Sequence, residues 1–252
     1  MPAAKGQLRF DWVSAWLSEW QESLYGMDLL MLFASPVYYG FGAPRGDGSG
    51  VLLIPAFLHS DAYLIILFAW LQRLGYRPYY SGIQLNAECP NLLIHDYLHT
   101  MVDRAHRETG RKVHVIGHSL GGILARSLAT IRRDDIASVT TLGAPFGGGV
   151  VPWTVLQDSD RVREFILRKH GTKVLPACYT VRCECEFMRS MRRAFPNSVR
   201  QTAVYTRSDG VVDWHDCITG DPTIDVEVPG THAGLAFNAS VYTTLAERLP
   251  KQ

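Results

Sequence analysis

From residue 51 onward the chain alternates between two hydrophobic periods. Val51–Ile54, Tyr76–Tyr80, Lys112–Ile116, Ile136–Leu142, Thr202–Tyr205 and Ile224–Val228 are short apolar or β-branched runs, and each predicts a strand. Between them, apolar residues fall at helical spacing. Ser60 or Asp61 can cap a helix that runs to Leu74 and stops at Gly75. Asn91 starts another, with Ile94, Tyr97, Met101 and Ala105 on one face and Gly110 at its end. Leu120–Thr130 and Ala239–Leu249 complete the set. Strands alternating with helices predict an α/β fold, a mostly parallel central sheet with helices on both faces. Ligands of such sheets bind beyond the carboxyl ends of the strands.

Two regions break this alternation. In the first, residues 1–49, Trp12, Trp16 and Trp20 recur at helical spacing beside Val13, Leu17 and Leu24. That stripe reads as a helix packed on its own domain. An interfacial helix is the sharper reading, because tryptophan favours membrane boundaries. Asp11, Glu19 and Glu22 would be repelled by anionic lipid, which favours packing. The second region, residues 147–199, is an irregular, helix-leaning excursion where a short connection would suffice, and such lengths are uncommon unless functional. Its Trp153, Val155, Leu156, Phe165, Ile166, Phe187 and Met188 suit the cover of an acyl pocket, to which the run Leu29–Phe33 is expected to add. With no internal repeat or low-complexity linker, the chain divides into a 1–49 extension and a 50–249 domain carrying 147–199 as a helical cap or lid.

Composition narrows the partners. Hydrophobic residues at 47% and charged residues at 19% describe a globular protein, and a net charge of +1 gives no electrostatic reason to expect nucleic acid. The first residues, MPAAKGQLRFDW, lack the apolar core of a secretory signal, and the run from Leu29 to Tyr39 is broken by Pro36. The expectation is a cytoplasmic protein, membrane-associated if the tryptophan stripe is interfacial. Five cysteines are an odd number and read as mostly reduced. Cys178-x₄-Cys183-x-Cys185 matches no common zinc spacing, and His95 and His99, four apart, lack a metalloprotease glutamate and read as a solvated face, so no metal is expected.

The chemistry concentrates in VHVIGHSLGGILAR, Val113–Arg126. A buried strand ends at Gly117 and a helix opens after Ser119, with Gly117-His118-Ser119-Leu120-Gly121 forming G-x-S-x-G. Small residues are needed where strand and helix backbones approach closely around a raised serine, and the helix N-terminus offers unpaired N–H groups to an oxyanion.

Here the chain resembles the lipase and esterase branch of the α/β-hydrolase family. The resemblance spans about residues 50–249 and rests on VLLIPAF (51–57), GHSLGG (117–122), TLGAPFGG (141–148), YTRSDGVV (205–212) and GTHAGL (230–235). It implies Ser119 as nucleophile, followed in chain order by an acid and a histidine. Of nine histidines, six precede or sit within the serine turn, His170 lies in the excursion and His215 precedes the last strand. His232 follows that strand in a loop marked by Pro229, Gly230 and Gly234, so it is the expected base. Asp209 and Asp213 both follow the fifth strand. The resemblance favours Asp209, and Asp213 reads as a turn cap. It also implies an oxyanion hole from the backbone N–H groups of Phe57 and Leu120. The family usually has glycine where Ala56 stands, and alanine restricts positive φ. Resembling proteins further suggest Cys183 or Cys185 near Cys217.

The reaction implied is serine-dependent hydrolysis of a carboxylic ester, with a small-molecule or lipid-like substrate and no metal or organic cofactor. An acyltransferase or thioesterase could use the same residues, and a non-catalytic binding protein could retain the fold.

Overall fold

A computed structural model describes residues 25–148 and 153–249 of the chain. Among these, six strands, β1 (Gly50–Ile54), β2 (Arg77–Tyr80), β3 (Val113–His118), β4 (Ile136–Leu142), β5 (Arg200–Tyr205) and β6 (Asp225–Glu227), form one sheet in the order β2-β1-β3-β4-β5-β6. Every neighbouring pair is parallel. The chain leaves β1 toward one edge, returns to β3 on its other side and then steps outward to β6. This order puts a switch point between β1 and β3, where Ile54 is in register with Gly117. Connections leaving those two strand ends diverge and open a crevice.

The expected strands are all present; Ile136–Leu142 keeps its expected bounds and the others have shifted ends. β2 begins at Arg77 because the Tyr76 N–H bonds Leu71 O at 3.1 Å in the turn that stops the preceding helix. That helix, α2 (Ile65–Leu74), is preceded by a 3₁₀ turn Asp61–Leu64 capped by Ser60, and it ends on Gly75 at φ 99. α1 (Tyr25–Ala34) precedes them in the chain. The helix expected from Asn91 begins at Pro90, passes through a π-helical stretch Leu93–Leu98 and continues as α3 (His99–Thr109). α4 (Leu120–Ile131) follows β3, and α7 (Ala239–Arg248) closes the fold. The excursion is more regular than expected, with an 18-residue helix α5 (Trp153–His170) and a short α6 (Glu186–Met191). Of the two histidines expected on a solvated face, His95 is exposed and His99 half-buried. Their rings lie 4.9 Å apart, and His95 Nε2 reaches Glu186 Oε2 of α6 at 2.9 Å.

Both faces of the sheet are covered. Val51 and Leu53 point into a core with Trp70, Leu71, Tyr242 and Leu245, while Leu52 and Ile54 point into another with Ile94, Val102, Leu124 and Leu128. Leu32 of α1 belongs to the first core, and Asp28 Oδ1 accepts a hydrogen bond from Asn238 Nδ2 at 2.7 Å. Residues from 25 on therefore pack against the end of the domain, while the tryptophan stripe lies outside the described residues. Among the described residues no helix is long and apolar enough to cross a membrane.

One core group ties this packing to pH. His114 on β3 is fully buried, with Nδ1 2.8 Å from Ser138 Oγ, and burial pushes its pKa down to about 4. His118 is displaced in the same direction by burial. A depressed histidine contributes stability that is complete above the unfolded value near 6.5 and is lost as pH falls toward the folded value, because the unfolded chain takes up the proton first. Thermal stability should therefore fall between about pH 6.5 and 4, His114 accounting for up to about 3 kcal/mol. His114→Asn should flatten that slope. A variant with the wild-type slope would assign the loss elsewhere.

Candidate active site

Ser119 occupies the turn between β3 and α4 with φ 52 and ψ −121, a conformation that side-chain-bearing residues rarely adopt and that costs on the order of 1–3 kcal/mol. The surroundings enforce it. The Ser119 N–H bonds Leu142 O at 2.8 Å, and its carbonyl accepts from Gly122 and Ile123 at 2.9 and 3.3 Å. Strand and helix approach so closely that a β-carbon at Gly117 would overlap the Gly121 carbonyl, and one at Gly121 would overlap the carbonyls of Ile54 and Pro55. This steric demand is what G-x-S-x-G encodes. Ser119, at 9% exposure, opens onto a cavity of about 850 Å³.

His232 lines the same cavity. Its Nδ1 lies 2.7 Å from Asp209 Oδ2, with the two side chains 7% and 1% exposed. A carboxylate accepts, so Nδ1 carries the proton of the neutral ring. The other carboxylate oxygen accepts from the N–H groups of Val211 and Val212 at 2.9 and 2.8 Å, which fixes the group from both sides. The acid and histidine loops are joined by Thr206 Oγ1, donating to Gly230 O at 2.9 Å. Gly143, just after β4, has φ 53, and a β-carbon there would stand 3.1 Å from His232 Nδ1 and 3.3 Å from Asp209 Oδ2. The TLGAP stretch thus leaves room for the pair. Asp213 is elsewhere. It is exposed, and its Oδ1 accepts from the His215 N–H at 3.0 Å, capping a 3₁₀ turn, and meets His215 Nδ1 at 2.6 Å.

Phe57 and Leu120 also line the cavity, Phe57 after β1 and Leu120 at the start of α4. The hydrogen bonds holding these turns use the N–H groups of Leu58, His59, Ser119, Gly122 and Ile123 rather than theirs. The departure at Ala56 has a local resolution, since the positive φ of this loop falls on Leu58, at 59°. Of the excursion residues expected over an acyl pocket, Val155, Phe187 and Met188 line the cavity. Ile166 is buried behind the cavity wall in a cluster with Cys89 and Cys178, and Leu156 and Phe165 are about half exposed. The side chain of Trp153 lies outside the described residues. The run Leu29–Phe33 is absent from the cavity wall, because α1 is held through Asp28 against Asn238 and through Leu32 in the first core.

A buried relay escaped the sequence reading. The Ala56 N–H donates to Tyr63 Oη at 3.3 Å, Tyr63 Oη lies 2.6 Å from His118 Nδ1, and His118 Nε2 lies 2.9 Å from His232 O. A carbonyl only accepts, so Nε2 carries the proton, and burial holds the His118 ring neutral. Nδ1 then accepts from the tyrosine hydroxyl. The relay joins the loop after β1, the serine turn and the histidine loop. His118 lies at a variable position of the motif, and nothing in the sequence links it to Tyr63.

The thiols also depart from expectation. All five cysteines are free, Cys217 Sγ approaches Asp213 O at 3.8 Å, Cys178 Sγ lies 3.0 Å from Cys89 Sγ, and the thiols of Cys183 and Cys185 interact with each other. Among the described residues no group of three or more His, Cys, Asp or Glu side chains is arranged to hold a metal.

Tyr63→Phe should destabilise the fold by about 1–3 kcal/mol, because it leaves the Ala56 N–H and His118 Nδ1 buried without partners. Equilibrium unfolding in urea checks this, and a change within about 0.5 kcal/mol would show that the relay bears no load.

Comparison with known proteins bears on the fold. Residues 81–175 match the PGAP1-like alpha/beta domain. A search of curated proteins gives no match. A probable hydrolytic enzyme from Pseudomonas aeruginosa superposes with a TM-score of 0.53 at 15% identity, covering 83% of this chain and 88% of its own. A Bacillus licheniformis lipase gives 0.52 at 15% identity over 82% and 94%. A thermostable carboxyl esterase from Bacillus coagulans gives 0.54 at 10% identity over 82% and 90%. At these identities the likeness is one of fold, and that fold is the α/β-hydrolase fold.

Proposed function

We propose that this chain, an α/β-hydrolase by fold, cleaves carboxylic esters with Ser119 as nucleophile, His232 as base and Asp209 as the acid that orients it. One observation carries the reading. A serine held at positive φ shares an apolar cavity with a histidine whose Nδ1 is bonded to a buried carboxylate. With Nδ1–H held by Asp209, Nε2 is left as the acceptor. It takes the Ser119 proton as Oγ attacks the ester carbonyl, and the resulting imidazolium is stabilised by Asp209. The N–H groups of Phe57 and Leu120 receive the oxyanion. His232 then protonates the leaving alcohol, activates a water and releases the acid. No metal or organic cofactor enters.

Phe57, Phe146, Val155, Phe187 and Met188 give the cavity apolar walls, which supports a small-molecule or lipid-like ester whose acyl group lies among them. Residues 147–199 act as the cap of a 50–249 catalytic body. Met27, Leu30 and Met31 of α1 are more than 60% exposed and continue the apolar character of the preceding tryptophan stripe, which supports contact with emulsified substrate or neutral lipid.

Turnover of p-nitrophenyl esters of increasing acyl length tests the activity and its chain preference, and a competing alcohol in the assay separates hydrolysis from acyl transfer. Ser119→Ala should lower turnover about 10⁴-fold or more and leave unfolding unchanged, and Ser119→Ala/His232→Ala should be hardly worse than either single variant, since such residues act as a unit. A tenth of wild-type turnover in purified Ser119→Ala would remove the serine from the mechanism.

Asp209→Asn should cost on the order of 10⁴ in turnover by allowing the wrong histidine tautomer, whereas Asp213→Asn should stay within about tenfold of wild type. The reverse ranking would assign the acid to Asp213.

A further inference from the structure

Cys89, Cys178, Cys183 and Cys185 all line the cavity. The mechanism uses none of them. We infer that Cys89 and Cys178 are a redox-active pair whose disulfide fastens the cap to the body of the domain. Their sulfurs lie 3.0 Å apart and both residues are buried. A disulfide needs about 2.05 Å, so closure asks for a shift of only about 1 Å. The neighbourhood brings the two segments together without the bond. Glu88, next to Cys89, meets His170 Nε2 at 2.5 Å and Lys169 Nζ at 3.2 Å, both at the end of α5. Ala87, Val162, Ile166 and Val174 pack around the two thiols in one apolar cluster. The pair therefore stands at the seam between the segment leading into Pro90 and the excursion.

The exchange requires an oxidant, and a low-molecular-weight disulfide such as oxidised glutathione supplies it. The Cys178 thiol donates to the Cys89 sulfur, which holds the Cys89 thiol below the ordinary thiol range and makes Cys89 the attacking group. The Cys89 thiolate attacks one sulfur of the small disulfide. That S–S bond breaks, and one small thiolate leaves and takes up a proton. Cys178 then loses its proton and attacks the Cys89 sulfur, releasing the second small thiol. Two protein thiols are oxidised by two electrons and one small disulfide is reduced to two thiols. The bond closes a loop of about 90 residues, and long loops gain most from closure in the chain-entropy account.

The test uses the full chain equilibrated with oxidised glutathione, digested without reduction and mapped by mass spectrometry. A cross-linked peptide containing Cys89 and Cys178 is expected. Adding a phosphine reductant should lower Tm by about 5–10 °C. Cys178→Ser should melt in oxidising buffer where reduced wild type does, with no response to reductant. Reduced and oxidised wild type are compared directly, so a poorly folding variant does not spoil the result, and no readout depends on ester turnover. Five freely alkylated thiols after equilibration would overturn the inference. So would a cross-link through Cys183, Cys185 or Cys217 instead, or zinc retained after dialysis and released when the thiols are titrated.

Discussion

The close crossing of β3 and α4 is the constraint on which the rest of the site depends. Gly117 and Gly121 touch backbone to backbone, and Gly121 lies against the carbonyls of Ile54 and Pro55 at the end of β1. The contact pins the end of the central strand, the first turn of the helix and the loop after β1 into one cluster. Ser119 has to take a positive φ to bridge strand and helix across so short a span. The cost of that conformation is offset by the sheet, since β1 and β3 are flanked on both sides by paired strands and buried on both faces. A side chain raised on so tight a turn reaches a cavity that a smoother βα connection would leave to backbone.

Around that crossing, three loops from distant parts of the sequence are tied by polar contacts as well as by apolar packing. The relay through Tyr63 and His118 connects Ala56 to the carbonyl of His232, and Asp209 holds the opposite side of the same residue through Nδ1. His232 is thus gripped by its main chain and its ring. Buried polar networks of this kind are costly when half satisfied and rigid when complete. The neutral state of His118 matters for completeness, because a protonated ring would present a second donor to a hydroxyl that could no longer donate to it. Burial enforces that state.

The sequence made the sheet and the serine turn legible because both follow from short-range rules. Period-two and period-3.6 patterns mark the elements, and glycines flanking a serine at a strand end mark close backbone approach. The expected strands all appear in the fold, and His232 and Asp209, chosen by loop position and by resemblance, meet in the structure at hydrogen-bond distance. What stayed hidden is set by tertiary contact. Tyr63 and His118 are 55 residues apart and Cys89 and Cys178 are 89 apart, with no local pattern announcing either pair. The suspected proximity of Cys183 or Cys185 to Cys217 came from resemblance, and the structure pairs other sulfurs because Glu88 and the end of α5 draw Cys89 and Cys178 to one seam. The shared face of His95 and His99 was visible as spacing, but the α6 carboxylate it meets was not.

The central claim is that the strained turn exposes a nucleophile activated by the Asp209–His232 pair. Labelling with a fluorophosphonate, which traps a serine only when its oxygen attacks, tests this without choosing a substrate. The account predicts one adduct per chain, mapped by peptide mass to Ser119, absent in Ser119→Ala and formed far more slowly in His232→Ala. An intact protein that takes no label, or takes it on another residue, would contradict it.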